Sequence, residues 1–122
     1  MQRRLLFLQA IVLVVIAVLD IYFGLEQRYF WTISWWDIPL HILGGLWAGL
    51  FGAWALLILN IRVSVMQCIM AALLIGGAWE LFEYAAGLGG SVFMSYRLDT
   101  AKDLFDDMVG GAIAGYIAKK LI

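Results

Sequence analysis

Residues Asp37–Leu59 read DIPLHILGGLWAGLFGAWALLIL. After the opening aspartate, only His41 interrupts a run of apolar and small residues that lasts until Asn60. A helix needs about 20 mostly apolar residues to cross roughly 30 Å of hydrocarbon, and the segment 38–59 has that length. Two other segments have the same character, 5–23 and 63–88. A fourth, 104–122, is weaker, because its uninterrupted apolar part, Met108 to Ala118, would rise only about 16 Å. It spans only if Asp103, Asp106 and Asp107 belong to its first turns and are shielded by neighbouring helices. The expectation is an all-α integral membrane bundle of four transmembrane helices, forming one domain over residues 1–122.

Composition supports this reading. The chain of 122 residues is 65% hydrophobic and 14% charged, whereas a soluble domain is near half apolar and a quarter charged. Disorder is excluded by the abundance of apolar and aromatic residues. A net charge of −1 leaves no basic footprint for nucleic acid. The single cysteine, Cys68, cannot form an internal disulfide and reads as a small buried hydrophobe.

The first segment has the basic start of a signal peptide (Arg3, Arg4) but lacks a small-x-small cleavage site after Val18, so it reads as a retained anchor. Basic residues then set the orientation. Cytoplasmic termini place Arg3, Arg4, Arg62, Lys119 and Lys120 inside, and Arg28, Arg97 and Lys102 outside. This predicts a multi-pass plasma membrane protein in which Asn60–Arg62 is a tight inner turn. The connections Gly24–Trp36 and Gly89–Lys102 then face outward. Tyr29, Phe30, Trp31, Trp35 and Trp36 suit the headgroup zone. Gly45/Gly49 and Gly111/Gly115 form small-xxx-small steps that let helices approach closely. They are read, with Gly44, Gly76, Gly77 and Gly110, as packing within the bundle. Trp47, Trp54 and Trp79 are read as packing too.

The residues that decide function are those a membrane should exclude. Asp37 and His41 lie four apart, Glu80 and Glu83 three apart, and Asp99, Asp103 and Asp107 step by four, so each group occupies one helix face. The topology brings all three faces to the same outer depth. A charge at the bilayer centre costs about 2.5–3.5 kcal/mol, and Glu80 lies about 12 Å along its helix from Leu88, inside the slab. Such groups must turn inward and find partners. Seven carboxylates (Asp106 is the last) converge on only His41, Arg97 and Lys102. The excess negative charge is met by a divalent cation, by shared protons, or by purely structural pairing. An oxygen-rich ligand set with one imidazole suits magnesium, manganese, calcium or, less well, zinc.

Structural readings compete at several positions. Asp37, before Ile38-Pro39, fits an N-cap with proline in the first turn. Thr100 and Asp103 fit a capping box. Carboxylates in a first turn are favoured by the helix dipole. Glu80 and Glu83 have no such role in mid-helix. Asp20, near the outer end of the first helix, either joins the cluster or snorkels to the interface, and the second reading is favoured. No Ser/His/Asp triad, phosphate-cradling glycine loop or CxxC site is present, and one histidine is too few for paired Glu-x-x-His motifs.

The order Asp37-x-x-x-His41, Trp79-Glu80-x-x-Glu83 and Asp99-Thr-x-x-Asp103-x-x-x-Asp107-x-x-Gly110 resembles the VanZ-like family of small bacterial membrane proteins. The resemblance covers roughly Trp36 to Ala118. The family's usual run has glutamine where Glu83 stands and asparagine where Asp107 stands, so this chain carries extra negative charge. Membership implies a bacterial plasma membrane protein of about four helices, on an uncharacterised branch, and implies no agreed chemistry.

The leading expectation is a cation-binding site opening to the outer leaflet, with Asp37, His41, Glu80, Glu83, Asp103 and Asp107 as metal ligands. If catalytic, it would carry out metal-assisted hydrolysis or group transfer on a lipid or lipid-linked envelope precursor, with His41 or Glu83 moving the proton. The alternative is a non-catalytic scaffold whose polar cluster fixes helix packing. A proton- or cation-coupled carrier fits less well, because a carrier site is expected near the midplane.

Overall fold

The computed structural model describes residues 2–87 and 95–122. Among them the secondary structure is entirely helical. Helix α1 (Gln2–Ala17) runs on into wider π-helical turns over Val18–Glu26, which end with the Gln27 amide donating to the Tyr22 carbonyl at 3.0 Å. A single turn, α2 (Tyr29–Thr32), follows Arg28, whose φ of 62° reverses the chain. The long helices α3 (Asp37–Ile58), α4 (Val65–Ala86) and α5 (Tyr96–Leu121) complete the bundle.

Local chemistry explains the ends. Asn60 takes the left-handed conformation (φ 59°) just past α3, a geometry in which asparagine is among the better-tolerated residues. Ser64 then caps α4 through a full capping box. The Gln67 amide donates to Ser64 Oγ (3.2 Å), and the Ser64 amide donates to Gln67 Oε1 (2.8 Å). Gly87 closes α4 at φ 73°, the usual helix stop. Asp37 is the first residue of α3, and no side chain caps that helix. The Thr100–Asp103 capping box does not form either. Helix α5 begins earlier, at Tyr96, and its cap is Ser95, which accepts from the Leu98 amide.

Among the described residues, three helices are long and apolar enough to cross a membrane: Gln2–Glu26, Asp37–Ile58 and Val65–Ala86. Helix α5 has 26 residues, about 39 Å of rise, but the charges of its first half keep it out of that class. It is instead the buried centre of the bundle. Asp99, Asp103, Asp106, Asp107, Gly110, Gly111, Ala114, Gly115 and Ala118 are all buried, against α3 on one side and α4 on the other. Large apolar side chains such as Phe7, Val14, Leu74, Leu81 and Tyr84 point outward, the arrangement of a protein solvated by lipid. Cys68 is fully buried in the core.

Glycine sets how close the helices come. A Cβ on Gly110 would collide with the Ile42 carbonyl and the Leu46 amide, and one on Gly45 with the backbone of Asp107. Gly49 faces Gly111 and Ala114, Gly111 faces Ala72, Gly115 faces Val65, and Gly76 faces the Asp107 carboxylate. These glycines are contact points within one bundle. Gly44 and Gly77 differ, since a Cβ at either meets nothing within 4 Å.

Candidate metal centre

The α3/α5 crossing brings two helix faces together at the end of the bundle where α3 begins. Asp37 and His41 stand one turn apart on α3, and Asp103 and Asp107 one turn apart on α5. The His41 ring lies among all three aspartates. Its Nε2 is 3.4 Å from Asp37 Oδ1 and 3.3 Å from Asp103 Oδ2, and its Nδ1 is 3.4 Å from Asp107 Oδ1. Lys102 Nζ sits on the far side of the same carboxylates, at 3.0 Å from Asp103 Oδ1 and 3.4 Å from both Asp37 Oδ2 and Asp106 Oδ2. Asp37 and Asp103 therefore each bridge the imidazole and the ammonium.

The spacing around His41 is informative. Charge-assisted N–H···O bonds close to about 2.7–2.9 Å, so contacts of 3.3–3.4 Å are loose for ion pairs. The edge of a tetrahedron drawn around zinc with bonds near 2.0–2.1 Å is about 3.3–3.4 Å, and an octahedron around calcium, with bonds of about 2.3–2.6 Å, has edges of about 3.3–3.7 Å. One ligand atom each from Asp37, His41 and Asp103 lies within 4.8 Å of the others, close enough to share one ion. The remaining ring nitrogen faces Asp107, as metal-bound histidines usually present their second nitrogen to a carboxylate.

The two glutamates of α4 are placed differently. Glu80 is buried. Its Oε2 accepts from Thr100 Oγ1 at 3.4 Å, while Oε1 has no partner among the described residues. A buried carboxylate oxygen left unpaired is costly. Glu83 is half-buried and faces a cavity of about 350 Å³. Asp37, His41 and Asp107 also line that cavity.

Four carboxylates (Asp37, Asp103, Asp106, Asp107) thus contact two groups able to carry positive charge, and Glu80, Glu83 and Asp99 add to the imbalance. Of the other cations expected nearby, Arg97 is exposed. Asp20, for which the interface is the favoured of two readings in sequence, lines the cavity beside Asp37 and His41. The available signal was a carboxylate within a 25-residue apolar helix, at the same end of the bundle as Asp37. Of the connection expected over Gly89–Lys102, residues 96–102 instead form the first turns of α5, which Ser95 caps, and residues 89–94 lie outside the described residues.

The class of protein is now defined: a helical membrane protein with an acidic and histidine cluster buried at one end of its bundle. The chain belongs to the family described as predicted membrane protein (DUF2238), whose model matches residues 2–121. No curated protein and no solved structure matches it.

Proposed function

We propose that the cluster is a divalent-cation site within the membrane, with Asp37, His41 and Asp103 as ligands. The observation that carries this reading is the His41 ring. One nitrogen converges with two carboxylate oxygens at ligand-to-ligand spacing, and the other is braced by Asp107. The unpaired Glu80 oxygen and the surplus of carboxylates add weight, since both disfavour a site satisfied by its own residues. Oxygen donors with a single imidazole favour magnesium, manganese or calcium over zinc. A metal there would polarise an oxygen of a lipid-linked phosphate or ester and activate water for hydrolysis or group transfer. Glu83, which lines the same cavity as His41, or His41 itself would then move the proton.

This reading includes finer assignments than the family match. All four long helices are taken to cross the bilayer, with the charged turns of α5 sheltered by α3 and α4. The termini are taken to be cytoplasmic in a bacterial plasma membrane, with the cluster toward the outer leaflet. The motif order shared with VanZ-like proteins supports kinship between the two families.

The test is metal content in the purified, detergent-solubilised chain, beside His41→Ala, Asp103→Asn and Glu80→Gln. Near-stoichiometric metal lost in the first two variants supports the site. No metal in any sample after divalent cations are supplied removes it. The scaffold reading then takes its place, favoured by the three contacts of Lys102. On that reading the same substitutions lower thermal stability and abolish no activity.

A further inference from the structure

The cavity beside the cluster is a slot rather than a bowl. From Asp37 to Ala48 on α3 and from Glu83 to Ala72 on α4 its walls run eleven residues, about 16 Å of helix. That is close to half of a roughly 30 Å hydrocarbon slab. The inner part is apolar, walled by Ile16, Trp47, Ala48, Ala72 and Ile75. The mouth carries Asp20, Asp37, Glu83 and Asp107 around His41. Helix α1 packs on α3 and not closely on α4, and Trp79 on α4, which lines the cavity, is half exposed, which favours entry between α1 and α4. Its volume of about 350 Å³ falls within the range of small-ligand sites.

From this geometry we infer that the slot takes one single-chain amphiphile from the adjoining leaflet, its hydrocarbon tail between α3 and α4 and a cationic ammonium head at the acidic mouth. Tail length is set by the apolar walls, and head charge by complementarity. Four carboxylates face the mouth against the His41 imidazole and the Lys102 ammonium that reaches Asp37, and a divalent ion bound by Asp37, His41 and Asp103 would still leave Asp20 and Glu83 as negative groups facing the cavity. With no metal bound, an anionic head would meet net repulsion. The inference therefore rests on the cluster as a binding site but not on its metal. Asp20, which no metal site needs, gains a role as the head's contact on α1. Gly44 keeps the slot open, because a side chain there would project into it without touching protein.

The experiment uses the full chain in phosphatidylcholine nanodiscs, titrated with an undecyl-trimethylammonium probe brominated at the chain end. Quenching of Trp47, taken as the difference between wild type and Trp47→Phe, reports tail insertion. Saturable quenching is expected, with half-saturation raised about tenfold by Asp20→Asn. Gly44→Leu should abolish it, while Gly77→Leu, which adds the same bulk at an open position away from the slot, should leave it intact. Equal quenching by the sulfate-headed probe of the same chain, or wild-type binding by Gly44→Leu, overturns the proposal. Wild-type binding must also survive chelation of divalent cations. If chelation abolishes it, the slot binds only when the ion holds the cluster in place and the assignment of the head to the acidic mouth fails, whereas binding by protein that takes up no metal when divalent cations are supplied sinks only the metal reading.

Discussion

Replacing Gly110 by alanine should destabilise the bundle, although alanine is the better helix former. The residue lies in the α3/α5 crossing, where a Cβ would run into the carbonyl of Ile42 and the amide of Leu46. Neither is a side chain that can rotate away, so the two helix axes must separate. Overpacking of a tight core costs about 1–3 kcal/mol, and contact with backbone puts Gly110 at the upper end. Exchanging glycine for alanine in a helix returns about 1 kcal/mol, which leaves a net loss of about 2 kcal/mol. Gly77→Ala is the internal control. It makes the same chemical change where nothing lies within 4 Å, and should stabilise by up to about 1 kcal/mol. Both are measured by reversible unfolding in mixed micelles, so the detergent background cancels. The pair should differ by about 3 kcal/mol. Equal stabilities, or a Gly110→Ala chain more stable than Gly77→Ala, would refute the packing account. Separation of the helices should also move Asp107 away from His41, so Gly110→Ala should weaken metal retention where Gly77→Ala does not.

Lys102→Met removes the ammonium shared by Asp37, Asp103 and Asp106 and should cost about 3 kcal/mol in thermal unfolding, the low end for breaking a buried ion pair. Millimolar magnesium or calcium should restore much of that loss if the cluster accepts a cation, and no restoration counts against the metal reading. Ser64→Ala breaks the α4 capping box at about 1 kcal/mol. Faster amide exchange confined to the first turn of α4 would identify the cause. Asn60→Val, at φ 59°, should cost about 1–2 kcal/mol and Asn60→Gly almost nothing, both read from the same melts.

The membrane character of the first three helices was legible because length and hydropathy decide it without tertiary information. The rest depended on neighbours. Gly44 and Gly45 are adjacent and chemically identical, yet one faces a cavity and the other the backbone of Asp107. The direction in which α3 presents each of them is fixed by packing against α5. Thr100 and Asp103 have capping-box spacing, but Ser95 intercepts the helix start, and Thr100 is left to donate to Glu80. Periodicity alone placed Asp37 with His41 and Asp103 with Asp107. That Asp37, His41 and Asp103 share one point required the crossing. Lys102 was visible as a nearby cation, but its position between three carboxylates was not. The two readings of Asp20 could not be separated, because an interfacial carboxylate and a cavity carboxylate look alike in sequence when the element opposite is unknown.

The same contacts that pack the bundle build the cluster. Asp107 lies one turn before Gly111, its backbone sits against Gly45, and its carboxylate rests where Gly76 has no side chain. Gly45 lies one turn beyond His41. A larger residue at position 45 or 76 would push Asp107 outward and open the His41 contact, so the close approach of three helices is a condition of the site and not only of stability. Helix α5 also illustrates how charge can be carried into a membrane protein. Its aspartates are too many to face lipid, and they are tolerated because α3 and α4 enclose them while His41 of α3 and Lys102 of α5 itself pair with them. That enclosure leaves Glu80 Oε1 unpaired and the carboxylates in excess. A fold that only needed to hide these charges would have been better served by apolar residues. The retained imbalance is therefore the strongest physical argument that the end of the bundle is built to receive something positively charged.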